Sequence, residues 1–265
     1  MSDDDAPNPI ERFFMRDDLR SDDDPLPAWP VWPTTELCGG RRRLRPLRED
    51  PEEWGRFAAM WAEAYPEIKG SPTGRVLDPS IYPEMFGAGR DWLRREHYAV
   101  VIEDLDDDTI FGGATYLLEP SERSAQAVLF SILPDYRGSV MTARCLFNLF
   151  DTFDVFVEES GVDYAWCMAT AKHRLTQDLF LRQGWTIRGV MPGMHRSYAG
   201  LGMHRRDTFI LMDKLYNRGP EIMSKTLELS PEAERVLAAQ TEGRPPARGR
   251  GRLIERVRAA RETPK

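Results

Sequence analysis

The stretch Ile132-Leu133-Pro134-Asp135-Tyr136-Arg137-Gly138-Ser139-Val140-Met141-Thr142-Ala143 decides the fold, because it joins two different hydrophobic periods. Just before it, residues 125–133 (AQAVLFSIL) are apolar almost throughout, as expected of a central strand covered on both faces. After it, Ala143, Leu146, Phe147, Phe150, Phe153 and Val157 recur at helical spacing. They predict a long helix to about residue 159, ended by Gly161. A strand that runs straight into a helix aims unpaired backbone N–H groups and the positive end of the helix dipole at one spot. That spot suits a pyrophosphate. Gly138 allows close backbone approach there, and Arg137 adds a positive charge.

The pattern extends in both directions. Upstream, residues 41–47 (RRRLRPL) alternate like a first strand. Asp50-Pro51-Glu52-Glu53 supplies an N-cap, a proline at N1 and first-turn acids. The stripe Trp54, Phe57, Ala58, Trp61, Ala64, Tyr65 follows, and Pro66 stops it. Residues 80–96 predict a second helix, and residues 97–103 and 110–118 a hairpin around an acidic turn. Downstream, a strand over 162–169, a short helix over 173–183 closed by Gly184, and a strand over 185–190 lead into a loop, 191–206 (MPGMHRSYAGLGMHRR). A last strand covers 207–216, and residues 231–239 predict a short helix. The order β-α-α-β-β-β-α-β-α-β-β is α/β, one mixed sheet with helices on both faces.

With these elements in place, the chain over about residues 40–216 resembles the GNAT (GCN5-related N-acetyltransferase) superfamily. In that family a fourth strand leads through V-x-P-x-x-R-G-x-G-x-G/A into a long helix, and a later short helix ends in Gly-Phe. Here residues 132–143 and Gly184-Trp185 stand in those places. The resemblance implies a GNAT-like single domain and an N-acyltransferase that carries an acetyl or other acyl group from acetyl-CoA or another acyl-CoA to a primary amine. It implies donor binding by Ile132, Leu133, Arg137, Gly138, Ser139, Val140, Met141, Thr142 and Ala143. Two departures stand out. Val140 and Thr142 replace Gly and Gly/Ala, and a β-branched Val disfavours positive φ and obstructs close approach, whereas Thr142 offers a hydroxyl to a phosphate. Four residues before the closing glycine, where the family often has a proton-donating Tyr, this chain has Phe180. The fourth strand also lacks an acidic side chain before Pro134.

The chain has 265 residues and a formal net charge of −7, unevenly placed. Residues 1–36 hold ten Asp/Glu against three Arg, and residues 241–265 eight Arg/Lys against three Glu. The expected organisation is an acidic, Pro-rich, flexible arm (1–36), the domain (37–217), an extension with a short helix (218–240) and a basic flexible tail (241–265). Trp29 and Trp32 are the arm's candidate anchors onto the domain, against loosely packed extended chain. No apolar run approaches the roughly 20 residues that span a bilayer, and the acidic N-terminus is unlike a signal peptide. Three widely spaced cysteines, Cys38, Cys145 and Cys167, make neither a disulfide framework nor a zinc pair. The expected home is the cytoplasm, with Cys145 and Cys167 as buried small hydrophobes.

Candidate site residues follow from chemistry. His173, opening the short helix, is a candidate base for an amine acceptor, or else a solvated helix-end residue. Ser131 either orients an acceptor or bonds a neighbouring carbonyl. His195, Arg196, Tyr198 and Arg205 make loop 191–206 a candidate acceptor site favouring a carboxylate or phosphate, or a solvated loop. His195 and His204 have no nearby Cys or carboxylate cluster to complete a metal site, so no metal is expected. The Arg-rich tail keeps a nucleic-acid partner open. Two further readings stay open: a GNAT-fold enzyme with another donor acting on nucleic acid, by DNA-base modification or aminoacyl-tRNA-dependent transfer, and a degenerate binding module. The acceptor and the oligomeric state are not fixed.

Overall fold

The computed structural model describes residues 24–86, 97–222 and 230–242. Among them, eight strands form one sheet: β1 (Thr35–Leu37), β2 (Arg42–Pro46), β3 (His97–Asp104), β4 (Thr109–Glu119), β5 (Ser124–Ile132), β6 (Tyr164–Thr170), β7 (Thr186–Gly200) and β8 (Met203–Leu215). Their spatial order is β1-β2-β3-β4-β5-β6-β8-β7. Every neighbouring pair is antiparallel except β5 and β6, which are parallel.

Helix α1 (Pro51–Ala64) starts at Asp50, whose side chain accepts the Glu52 N–H, with Pro51 at the first helical position. It lies on one face of the sheet with the short helix α2 (Tyr82–Phe86). Its approach depends on Gly113 of β4, where an added Cβ would lie 2.6 Å from Phe57 and 2.8 Å from the Val100 carbonyl. On the other face lies α3 (Val140–Glu159), which presses Phe150 onto Phe130 and Phe153 onto Tyr116. The shorter α4 (Leu175–Arg182) adds Phe180 to the same layer. Among the described residues two helices follow β8: α5 (Gly219–Ile222) and α6 (Pro231–Glu242), from which Gln240 donates to the Arg188 carbonyl on edge strand β7. No described helix is long and apolar enough to cross a membrane.

The structure revises three expectations. First, Trp29 and Trp32 belong to the core, at 3% and 1% exposure. Trp29 stacks on Phe156 and Trp32 on Tyr116, so the prolines here deliver two large rings between α3 and the sheet. Residues 1–23 and 243–265, the rest of the acidic arm and nearly all of the basic tail, lie outside the described residues. Second, the predicted second helix opens as a 3₁₀ turn, Pro79–Ile81, before α2, and its residues 87–96 lie outside the described residues. Third, residues 191–206 are not a loop. They extend β7 and β8 into one long hairpin closed at Leu201-Gly202, where both residues have positive φ (49° and 75°). Two successive positive φ values make the tight turn that matches strand twist. The alternation of larger side chains along MPGMHRSYAGLGMHRR was masked by its glycines.

Two substitutions test this packing. Gly113→Ala forces Phe57 or the Val100 carbonyl aside and should lower stability by about 1–3 kcal/mol. Trp32→Ala removes a fully buried ring and should cost about 3–5 kcal/mol. Denaturant midpoints read both, and an unchanged midpoint in either variant would contradict the packing described.

Candidate functional site

The site begins where a pair of strands parts. β5 and β6 pair in parallel from Ser124↔Tyr164 to Ala127↔Cys167 and no further, although β5 continues to Ile132 and β6 to Thr170. The cause lies on the other side of β5. Thr115 of β4 pairs with Leu129 and Tyr116 with Ala127, so Val128 has no opposite partner. Such a one-residue bulge bends the strand that carries it. Beyond it the two strand edges diverge, leaving backbone amide and carbonyl groups unpaired across the gap.

A cavity of about 580 Å³ opens in this gap. Its walls are Val128–Ile132 of β5, Met168–Thr170 of β6, the start of α3, the inner side of α4 and the end of α1. Most of the lining is apolar, including Leu146, Phe150, Leu179 and Phe180. Of the nine residues expected to bind a donor, Ile132, Arg137, Gly138, Ser139, Thr142 and Ala143 line it, whereas Leu133, Val140 and Met141 do not.

At the mouth, Ser139 caps α3 by accepting the Thr142 N–H at 3.0 Å, and the Ala143 N–H goes to the Ser139 carbonyl. The amides of Val140 and Met141 precede any intrahelical acceptor and so face outward. Gly138 has φ +83°, and an added Cβ there would meet open space. Three expectations change. Val140 is the first helical residue and its side chain is exposed, so no positive φ is required of it. Thr142 is buried and donates to the Tyr136 carbonyl at 2.6 Å, so its hydroxyl closes the loop instead of offering itself to a phosphate. Arg137 donates to the Ile132 carbonyl (2.8 Å) and the Ala64 carbonyl (2.7 Å), fastening the end of α1 to the end of β5.

Ser131 and His173 both line the cavity. The Ser131 hydroxyl is 3.4 Å from the Ala64 carbonyl, the carbonyl-bonding alternative. His173 lies two residues before α4 with much of its surface in solvent, and the partial desolvation of its ring at the cavity, with Arg137 and Lys172, pushes the imidazole below the ordinary histidine value. Phe180 is buried between Phe130, Phe150 and Trp185 and offers no proton. Cys167 borders the cavity too, and burial keeps its thiol well above the ordinary value.

Where Glu67, Lys172 and His195 line the cavity stands a polar group that sequence reasoning did not assemble. Lys172 reaches Asp207 at 2.9 Å and Glu67 at 3.7 Å, and Arg205 reaches Asp207 at 3.1 Å and Glu67 at 3.8 Å. The buried Ser197 hydroxyl donates to Asp207, and His195 Nδ1 lies 3.1 Å from Ser197 Oγ. Burial would raise the Asp207 carboxyl, but Ser197 and Lys172 outweigh it and hold the group below the usual carboxylate range. Nearby, burial pushes the Tyr65 phenol up to about 12. Of the acceptor residues expected on 191–206, His195 lines the cavity, while Arg196, Tyr198 and Arg205 do not. Arg205 is already paired with two carboxylates, and Tyr198 packs under Lys69. The alternation of residues 195, 197 and 207 across a hairpin was a signal for the His195–Ser197–Asp207 part alone and says nothing of Glu67 or Lys172.

No family model matches the chain, and no curated protein does. Solved structures do. The chain is similar to ribosomal-protein-S5-alanine acetyltransferase from Vibrio fischeri, with TM-score 0.50 and 11% identity over 69% of this chain and 97% of that one. It is also similar to a probable acetyltransferase of the GNAT family from Chromobacterium violaceum, with TM-score 0.49 and 13% identity over 74% and 93%. At 11% identity the likeness to the Vibrio fischeri enzyme is one of fold alone.

Arg137→Lys separates clamp from charge. The ammonium keeps the positive charge but loses the fork that bridges two carbonyls. The clamp predicts a stability loss of about 1 kcal/mol, which is about 2–4 °C in melting temperature. An unchanged melting temperature would leave Arg137 only its charge.

Proposed function

We propose that the protein is a GNAT-type N-acyltransferase, transferring an acetyl or other acyl group from acyl-CoA to a primary amine. The observation that carries this reading is the end of β5–β6 pairing at Ala127 and Cys167, with a cavity beyond it that meets the start of α3. Bound acyl-CoA would supply an activated thioester carbonyl. The donor set suits such a molecule: an unpaired strand edge for an amide-bearing arm, an apolar lining, and outward amides at a helix N-terminus for a pyrophosphate.

In this reading the Gly138–Met141 backbone holds the phosphates, and the open edge of β5 polarises the thioester carbonyl. Cys167 stays a thiol, since burial opposes the thiolate a nucleophile needs, which favours direct attack by the amine over a covalent acyl-enzyme. With Phe180 where the family often has a tyrosine, the departing thiolate takes its proton from solvent. We place the protein in the cytoplasm, in keeping with its three free thiols. A second reading, a binding module that has lost turnover, is favoured by Phe180 alone.

Calorimetry and thermal melts with acetyl-CoA test the proposal. Saturable binding is expected, with stabilisation of about 2.7 kcal/mol at a hundredfold excess over Kd. Free thiol should then appear with at least one member of a primary-amine panel. No binding of CoA or acetyl-CoA at millimolar concentration would sink the proposal, and binding without turnover across the panel would favour the module.

A further inference from the structure

We infer that His195 is the general base at the acceptor end of the cavity, presenting a neutral Nε2 lone pair, with Ser197 and Asp207 as its positioning residues. This rests on the acyltransfer reading above. His195 and Asp207 are direct partners across the β7–β8 hairpin, and Ser197 lies two residues on, on the same side of β7 as His195. Ser197 is fully buried, so its hydroxyl must be satisfied by protein.

The proton inventory fixes the rest. An ionised carboxylate only accepts, and Asp207 accepts from Lys172, Arg205 and Ser197. A hydroxyl has one proton, and Ser197 gives it to Asp207. At 3.1 Å from Ser197 Oγ, His195 Nδ1 must therefore be the donor. With Nδ1 protonated, a neutral ring carries its lone pair on Nε2. The ring lines the cavity and packs against Phe209, its centroid 4.9 Å from the phenyl centroid. His173 has no comparable tether, since its ring makes no hydrogen bond to a described residue.

The charged groups around the relay agree with a neutral resting ring. Burial pushes the His195 imidazole below its ordinary value; Asp207 opposes this and Lys172 adds to it. Beyond these stand Glu67 and Arg205, which pair with each other and with the same two groups. In the transfer step the amine nitrogen forms the C–N bond, the C–S bond breaks with its electron pair on sulfur, and the amine proton passes to Nε2. Asp207 stays ionised and offsets the imidazolium, which then releases its proton to solvent, while the thiolate takes one from solvent.

Ring-nitrogen NMR of the ¹⁵N-labelled full chain tests the relay without any substrate, with its four histidines assigned through single His→Gln variants. His195 should show the Nδ1–H tautomer at pH 7 and titrate below the ordinary histidine value. Ser197→Ala should shift it toward Nε2–H. Asp207→Asn removes the anion that favours imidazolium while Lys172 remains, so the midpoint should fall further. With acetyl-CoA and an amine from the panel, His195→Gln should lower kcat about 100-fold or more, leave acetyl-CoA affinity within about twofold, and remove from the pH profile the inflection that follows the His195 midpoint, leaving that of the amine itself. An Nε2–H tautomer, or a charged ring at pH 7, overturns the relay. Full turnover in His195→Gln overturns the base alone. No transfer by the wild type overturns it together with the acyltransfer reading.

Discussion

Everything at the site depends on two parallel strands ceasing to pair. Parallel strands are ordinarily buried and continuous, yet β5 and β6 hold register for four residue pairs and then separate. The bulge at Val128 bends β5 while its other edge stays bonded to β4 as far as Ile132. The strand can leave β6 without leaving the sheet. Unpaired backbone inside a protein is costly, so it persists where a cavity gives it water or a ligand. The long α3 then begins beside the opening, which brings its first amides to the same place.

Around that opening, the polar side chains mostly serve one another. Thr142 gives its one hydroxyl proton to the Tyr136 carbonyl, and Arg137 uses two of its five N–H donors on the carbonyls of Ala64 and Ile132. This fastens the loop beside the first turn of α3. The end of the cavity at His195 follows the same rule. Glu67 and Asp207 pair with Lys172 and Arg205, while Arg196 and Arg206 of the same hairpin stay exposed.

The sheet was legible in the sequence wherever hydrophobic period and turn residues agreed. The 97–118 hairpin, the apolar strand before Pro134 and the stripe of α3 all lie close to where their spacing puts them. The cavity was legible only in part, because Pro-x-x-Arg-Gly marks a strand-to-helix step but no periodicity reports that two strands part. Trp29 and Trp32 were ambiguous for a different reason: prolines hide their burial, which depends on Phe156 and Tyr116 far along the chain. The Glu67–Lys172–Asp207 group could not be read at all. Its members come from a turn after α1, a turn after β6 and a hairpin strand, and only tertiary structure brings them together.

The position of β8 between β6 and β7 has a consequence for how the protein is made. β8 emerges last of the three, yet it lies between two strands synthesised earlier. β6 therefore has no antiparallel neighbour until residues 203–215 have left the ribosome. Asp207 arrives with that strand. Pairing of such distant segments is slow, because the loop must close before the contacts repay it. The polar end of the cavity is thus completed only as the sheet itself closes, and a nascent chain lacking β8 has the loop before α3 but not the Asp207 that completes the polar group.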